Sequence, residues 1–140
     1  MSNYVPSAVA TLVISDGRLL LGRRIKKQQF EGWQCPGGFM QIQETVEEAS
    51  KRCCLNKAGI HIADTKEGPY TNNIFSTSDE ITHSITLYVI AKEYQVIDVE
   101  RFSDNQVAWT WFDFDKIPSQ RFLPLDQLLK SYDLASLISL

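Results

Sequence analysis

The stretch Gly32-Trp33-Gln34-Cys35-Pro36-Gly37-Gly38 runs from a glycine-rich turn into a segment that nothing breaks as a helix. Glycines at such a junction let backbone come close to a bound group, because no Cβ stands in the way. Gly38 is followed by five residues and Glu44, then by seven residues and Arg52, and then by Gly59 and Ile60. A plain turn would use the same two glycines. The other reading of these glycines is the approach of a phosphate, or of a metal ion that neutralises one.

This series resembles the box of the Nudix hydrolase superfamily, written G-x5-E-x7-R-E-U-x-E-E-x-G-U with U a bulky apolar residue. Gly32 to Gly38 is similar to the G-x-W-x-x-P-G-G prelude of that box. Gly38, Glu44, Arg52, Gly59 and Ile60 match at the right spacings. Leu20-Leu21-Gly22-Arg23-Arg24 looks like the strand that precedes the box in many members. Trp109 to Pro118, followed by Pro124 to Leu128, is similar to the tail of the MutT-like branch of nucleoside triphosphate diphosphatases acting on modified purine nucleotides.

The resemblance implies a single Nudix domain over residues 1–140, of α+β class, with a mixed β-sheet sandwiched between helices (α/β/α). It implies a pyrophosphohydrolase of a nucleoside di- or triphosphate derivative, Mg²⁺ or Mn²⁺ as cofactor, and a homodimer. For Gly37, Gly38, Glu44, Arg52 and Gly59 it implies a structural role, shaping the loop–helix unit.

Pyrophosphate cleavage is slow because negative oxygens guard phosphorus, and divalent ions neutralise that charge and activate the attacking water. Magnesium takes hard oxygen ligands, typically carboxylates. In the family, glutamates on one face of the box helix provide them. Here those positions hold Cys53, Asn56 and Lys57, a stripe within about 100° of helical arc. All three carboxylates are gone, and one is replaced by a cation. At about 4 Å an ammonium repels a divalent ion by about 2 kcal/mol at water's dielectric, and by about 8 kcal/mol at an effective dielectric of 20. Glu47 and Glu48 fall round the back of the helix, roughly 120° and −140° from position 53.

No residue is therefore assigned as catalytic, and no metal-ligand set is intact on the stripe. The chain is expected to bind a nucleotide with its hydrolase activity reduced, altered or lost. The alternative is a catalytically inactive nucleotide sensor or protein-interaction module. GDP-mannose hydrolases of the family also carry a degenerate box, but they retain one late glutamate; this chain keeps neither.

Other residues compete for roles around this unit. Arg23 and Arg24, with Lys26 and Lys27, form a basic run that is either a solvated loop or a means of steering an anionic substrate. Trp33, like Phe30, is a core aromatic or a platform for a base, and core is the preferred reading. His83 alternates with Ile85 and Leu87, as an ordinary strand histidine does, but is kept as a substrate-binding candidate with Arg23, Arg24 and Trp33. Asp79, Glu80 and Asp104 are acids that could replace a lost ligand. Adjacent Cys53 and Cys54 lack a zinc-binding spacing and are expected to pack.

The elements that must hold these residues follow from periodicity. Val9 to Ile14 reads as a buried strand, Ser15-Asp16-Gly17-Arg18 as a hairpin turn, and Leu19 to Leu21 as the returning strand. Arg23 to Gly32 reads as a loop. Thr45 caps a helix running to Ala58, with Glu47 and Glu48 in the first turn and Gly59 past its end. Thr82 to Tyr94 reads as the longest later strand, with Ser84, Thr86, Tyr88 and Ile90 on one face. Val107 to Phe112 reads as another strand, and Pro124 to Tyr132 as a second helix.

The overall numbers exclude several classes. One hundred and forty residues make about one domain, and no 20–50-residue period suggests a solenoid. A formal net charge of -3 argues against a generic binder of nucleic-acid polymers. No apolar run spans a bilayer, and no basic leader precedes Ala8, so neither a membrane partner nor secretion is expected. Three cysteines, two of them adjacent, make no disulfide framework, and a cytoplasmic location is expected.

Overall fold

Successive residues of a strand face opposite sides of its sheet, and the first strand distributes its side chains between two helical layers. In the computed structural model, which describes residues 4–76, 81–97 and 107–139, β1 (Ser7–Leu12) turns Val9 and Thr11 toward α1 (Val46–Ala58). Its Ala10 and Leu12 join the core under α2 (Leu123–Ser131).

β1 lies inside a mixed four-stranded sheet. It pairs antiparallel with β5 (Gly37–Phe39) and parallel with β7 (Ile81–Val96), whose other neighbour is the edge strand β6 (Ile60–Ser76). The parallel register sets Val9 against Leu87 and Ala10 against Tyr88. A second sheet is built on β3 (Arg18–Lys26), which pairs with β2 (Ile14–Ser15), β4 (Gln29–Gln34) and β8 (Thr110–Asp113). A 3₁₀ turn (Phe114–Lys116) and a short last helix, α3 (Leu134–Ser139), complete the described elements. Strands of mixed direction between α1 and α2 are the α/β/α arrangement of an α+β fold.

The two larger of three apolar clusters carry most of the packing. Ala10, Leu12, Leu19, Leu21, Tyr88 and Ile90 meet Leu125 and Leu128 of α2. On the other side Val13, Leu20, Ile60, Ile62 and Ala91 meet Cys54 and Ala58 of α1. A buried hydrogen bond of 2.6 Å between the hydroxyls of Thr11 and Ser50 fixes α1 on the sheet. It satisfies two polar groups that burial would otherwise penalise.

The sequence reading and the structure differ in four places. The hairpin at Asp16-Gly17 forms, with both residues at positive φ, but it joins β2 to β3. The long first strand instead pairs with β7 in the other sheet. Arg23 to Gly32 is no loop: it is the β3–β4 hairpin, turning at Lys27 and Gln28, both at positive φ without a glycine. The longest strand is β6, which carries Asp64, Lys66, Glu67, Gly68 and Pro69 and hides its pattern behind them. Finally, β8 is shorter than expected, beginning at Thr110.

Leu128 is fully buried beneath the sheet, whereas Leu55, on the outward face of α1, is 42% exposed. Leu128→Ala should lower unfolding stability by about 2–5 kcal/mol, and Leu55→Ala by no more than about 0.5 kcal/mol. Urea denaturation of the two variants checks this, and equal losses would contradict the core assignment.

Candidate functional site

The site grows out of one short strand and one helix. β5 is held to β1 with Ala10 opposite Gly37 and Val9 opposite Gly38, and Thr11 N–H donates to Pro36 O at 2.9 Å. A Cβ built on Gly37 would run into the Val9 carbonyl oxygen. Only glycine allows that approach.

α1 begins where the sequence places it. The Thr45 hydroxyl accepts from Glu48 N–H at 3.0 Å, and the Glu48 carboxylate accepts from Thr45 N–H at 2.9 Å, a reciprocal capping box. Gly59 ends the helix in the left-handed region at φ 65°, where a side chain would be strained. Glu47 is ion-paired with Lys51 at 2.8 Å, so neither first-turn glutamate turns toward the stripe.

The loop between β5 and α1 is clamped by a single pair. Arg52 donates from Nε to Glu44 Oε2 at 2.6 Å and from Nη2 to Glu44 Oε1 at 2.9 Å. Arg52 Nη2 also donates to Phe39 O at 3.0 Å, and Glu44 Oε1 accepts from Gln41 N–H at 2.9 Å. Bidentate charge-assisted pairs of this kind are strong and directional. The Arg52 hydrogen bonds, and then the Gln41 amide, hold the Glu44 carboxyl down at about 2, against an ordinary 4.5.

Of the stripe, Cys53 and Lys57 face the glycines. Cys53 is buried and packs with Val9 and Ala49, while Asn56 and Lys57 are exposed. Lys57 Nζ donates to Gly37 O at 2.5 Å. A Cβ on Gly38 would stand 2.8 Å from that nitrogen and 3.2 Å from Cys53 Sγ. The ammonium thus fills the notch left by the missing side chain of Gly38. These donors do not fit a magnesium or manganese ion: a thiol, an amide and an ammonium replace hard anionic oxygens. Among the described residues no three His, Cys, Asp or Glu side chains gather as a metal site. Next to Cys53, burial pushes the Cys54 thiol up to about 12, which leaves it a packing group.

The remaining candidates lie on the strands. Arg24 donates from Nε to Glu31 at 2.9 Å, and its guanidinium sits 4.1 Å from the Phe122 ring centroid. Arg23 lies over Phe30 at 5.3 Å. Both arginines therefore stand on a paired strand rather than in a solvated loop. Trp33 makes edge contacts with Phe112 at 4.8 Å and Phe30 at 6.0 Å, as a core residue. His83 Nε2 is 2.5 Å from Asn72 Oδ1. Asp79, Glu80 and Asp104 lie outside the described residues.

One group escaped the sequence reading. Asn73 is fully buried on the α2 side of the sheet, donating to Thr86 Oγ1 at 2.9 Å and accepting from Gln127 Nε2 at 2.7 Å. Beside it, Thr71 Oγ1 is buried without a hydrogen-bond partner among the described residues. Thr71 and Gln127 also line an open hollow of about 340 Å³ with Tyr70, Asn72, Ser131 and Tyr132. The inward alternation of Ser84 and Thr86 was the available signal: small polar residues on a strand's buried face need partners. With no charged residue in its lining, this hollow suits a neutral, hydrogen-bonding part of a ligand rather than its phosphates.

Comparison with known proteins adds the family. The model of the NUDIX domain matches residues 4–132. An oxidized purine nucleoside triphosphate hydrolase from Danio rerio is 34% identical over 110 residues, covering 76% of this chain and 65% of the relative. The chain thus spans just under two thirds of that relative's length. A MutT NUDIX hydrolase from Burkholderia pseudomallei superposes with a TM-score of 0.72 at 21% identity, over 85% of this chain and 91% of its own. A NUDIX hydrolase from Nitrosomonas europaea does so at 0.69 and 17% identity, covering 96% of each chain. At these identities the two structures establish a shared fold.

The depressed Glu44 carboxyl makes the clamp sensitive to acid. Its contribution to stability is complete above the ordinary value of 4.5 and is lost as pH falls toward about 2, because the unfolded chain takes up the proton first. Glu44→Gln should melt at a lower temperature than wild type at pH 7, and the gap should close progressively between pH 5 and pH 2. A gap independent of pH in thermal melts would rule out an ionised clamp.

Proposed function

The chain belongs to the NUDIX family, and on that premise we propose that it binds a nucleoside di- or triphosphate derivative while its ordinary metal-dependent pyrophosphohydrolysis is lost or strongly reduced. The observation that carries this reading is Lys57 donating to Gly37 O from the stripe that holds no carboxylate. The name of the Danio rerio relative, an oxidized purine nucleoside triphosphate hydrolase, supports a purine nucleotide as the ligand class. The preserved framework supports binding: the glycine approach, the Glu44–Arg52 clamp and the capped helix all persist without the metal ligands.

The chemistry of the stripe supports the loss of turnover. Hydrolysis in this family is promoted by a divalent ion that neutralises phosphate oxygens and activates water. An ammonium neutralises charge but does not generate hydroxide from a bound water. What remains for this chain's own residues is to bind and orient the polyphosphate. No helix among the described residues is long and apolar enough to cross a membrane. The three buried, unpaired cysteines support a reducing compartment such as the cytoplasm.

The test compares wild type with Cys53→Glu/Asn56→Glu/Lys57→Glu, each incubated with Mg²⁺ or Mn²⁺ and a panel of purine and pyrimidine nucleoside triphosphates. Wild type should bind at least one nucleotide with little or no turnover, and the variant should gain turnover that EDTA abolishes. Robust metal-dependent turnover by wild type, lost on mutation of His83, Asp79, Glu80 or Asp104, would overturn the reading in favour of an enzyme with a rebuilt site. Absence of any nucleotide binding would point to a protein-interaction module.

A further inference from the structure

Lys57 does more than displace a carboxylate. Its position in the last turn of α1 is favourable for a cation, because the helix dipole presents its negative end there. The Gly37 carbonyl adds a second negative pole at 2.5 Å, and the missing Cβ of Gly38 leaves the space the ammonium fills. An ammonium carries three donors, and the Gly37 carbonyl takes one. Among the described residues no carboxylate lies within 4 Å of the Lys57 nitrogen, whereas Lys51, Arg52 and Arg24 each have an acid at 2.9 Å or less. Lys57 is also exposed. A cation held in place by a carbonyl, open to solvent and not neutralised by an acid, is suited to an anion.

From this, the geometry points to Lys57 as a tethered cation: docked on Gly37 O beside Gly38, its ammonium receives a polyphosphate oxygen directly, so that phosphate binding at the glycine loop needs no divalent ion. This rests on the nucleotide-binding reading for its biological ligand, but it is a separate claim about how the phosphates are held. Adding Mg²⁺ should weaken binding rather than strengthen it, since the ion screens the polyphosphate and is repelled by the resident ammonium.

Calorimetric titration of the full chain with inorganic tripolyphosphate, in EDTA and then in excess Mg²⁺, tests the claim without depending on a base. Wild type should bind in EDTA, and more weakly in Mg²⁺. Lys57→Gln, which keeps a donor but not the charge, should lose about tenfold or more in affinity, the scale of one charge-assisted hydrogen bond. Lys57→Arg should recover part of that loss, with both variants melting near the wild-type temperature. No tripolyphosphate binding, binding that requires Mg²⁺, or equal affinity in Lys57→Gln would each overturn the tethered cation. Parallel titrations with nucleoside triphosphates separate the two claims. Tripolyphosphate binding through Lys57 with no nucleotide binding would leave the tethered cation standing and remove the nucleotide reading. Nucleotide binding that needs Mg²⁺ would do the reverse.

Discussion

Everything at the site depends on how closely β5 approaches β1. Gly37 lies opposite Ala10 with the Cα hydrogen that a side chain would replace turned at the Val9 carbonyl, in a space that no side chain fits. That contact fixes the direction of the Gly37 carbonyl and the floor beneath Gly38. Residues on α1 then meet the loop at the notch rather than past it. The Thr11–Ser50 hydrogen bond and the packing of Val9 against Ala49 and Cys53 hold the helix to the same strand. One strand therefore locates both walls of the site.

Within that frame, the main contacts that build the unit lie outside the stripe, although Arg52 also interacts with the neighbouring Cys53 side chain. Glu44 and Arg52 bind each other, the Gln41 amide and the Phe39 carbonyl, and none of these contacts involves positions 53, 56 or 57. The capping box at Thr45 and Glu48 is likewise self-contained. Loss of the stripe's carboxylates therefore costs the architecture nothing that these contacts supply. Burial of Cys53 replaces a charged side chain by a small apolar one against Val9, the direction in which burial is favourable.

The loop–helix unit was legible because its signals are local. A threonine cap, glutamates in the first turn, an uninterrupted helix and a glycine at its end are read from consecutive residues, and the structure begins and ends α1 within one residue of them. The hairpin of β3 and β4 was not legible. Its turn at Lys27-Gln28 uses positive φ without glycine or asparagine, and its strands carry Arg23, Arg24, Lys26 and Glu31 because they present charge and cation–π contacts rather than an apolar face. β6 was obscured differently. It is an edge strand broken in register between Glu67 and Tyr70, with a glycine and a proline in the irregular stretch, features that edges tolerate and that sequence patterns read as a turn. The neutral cluster around Asn73 depended on that missed strand, since only the pairing of Asn73 with Ser84 and Thr71 with Thr86 gathers it.

The pairing of a lysine with a glycine carbonyl also decides what kind of chemistry the loop retains. A divalent ion attracts phosphate oxygens and polarises water, two effects that come from one charge at one point. An ammonium on a four-carbon stem keeps the first effect in weaker form and lacks the second, because it has no vacant coordination position for water. Substituting Lys57 for a carboxylate thus does not simply subtract a ligand. It places a positive charge at the Gly37 carbonyl where the family has a negative one, while the clamp, the caps and the β1–β5 contact are formed without it.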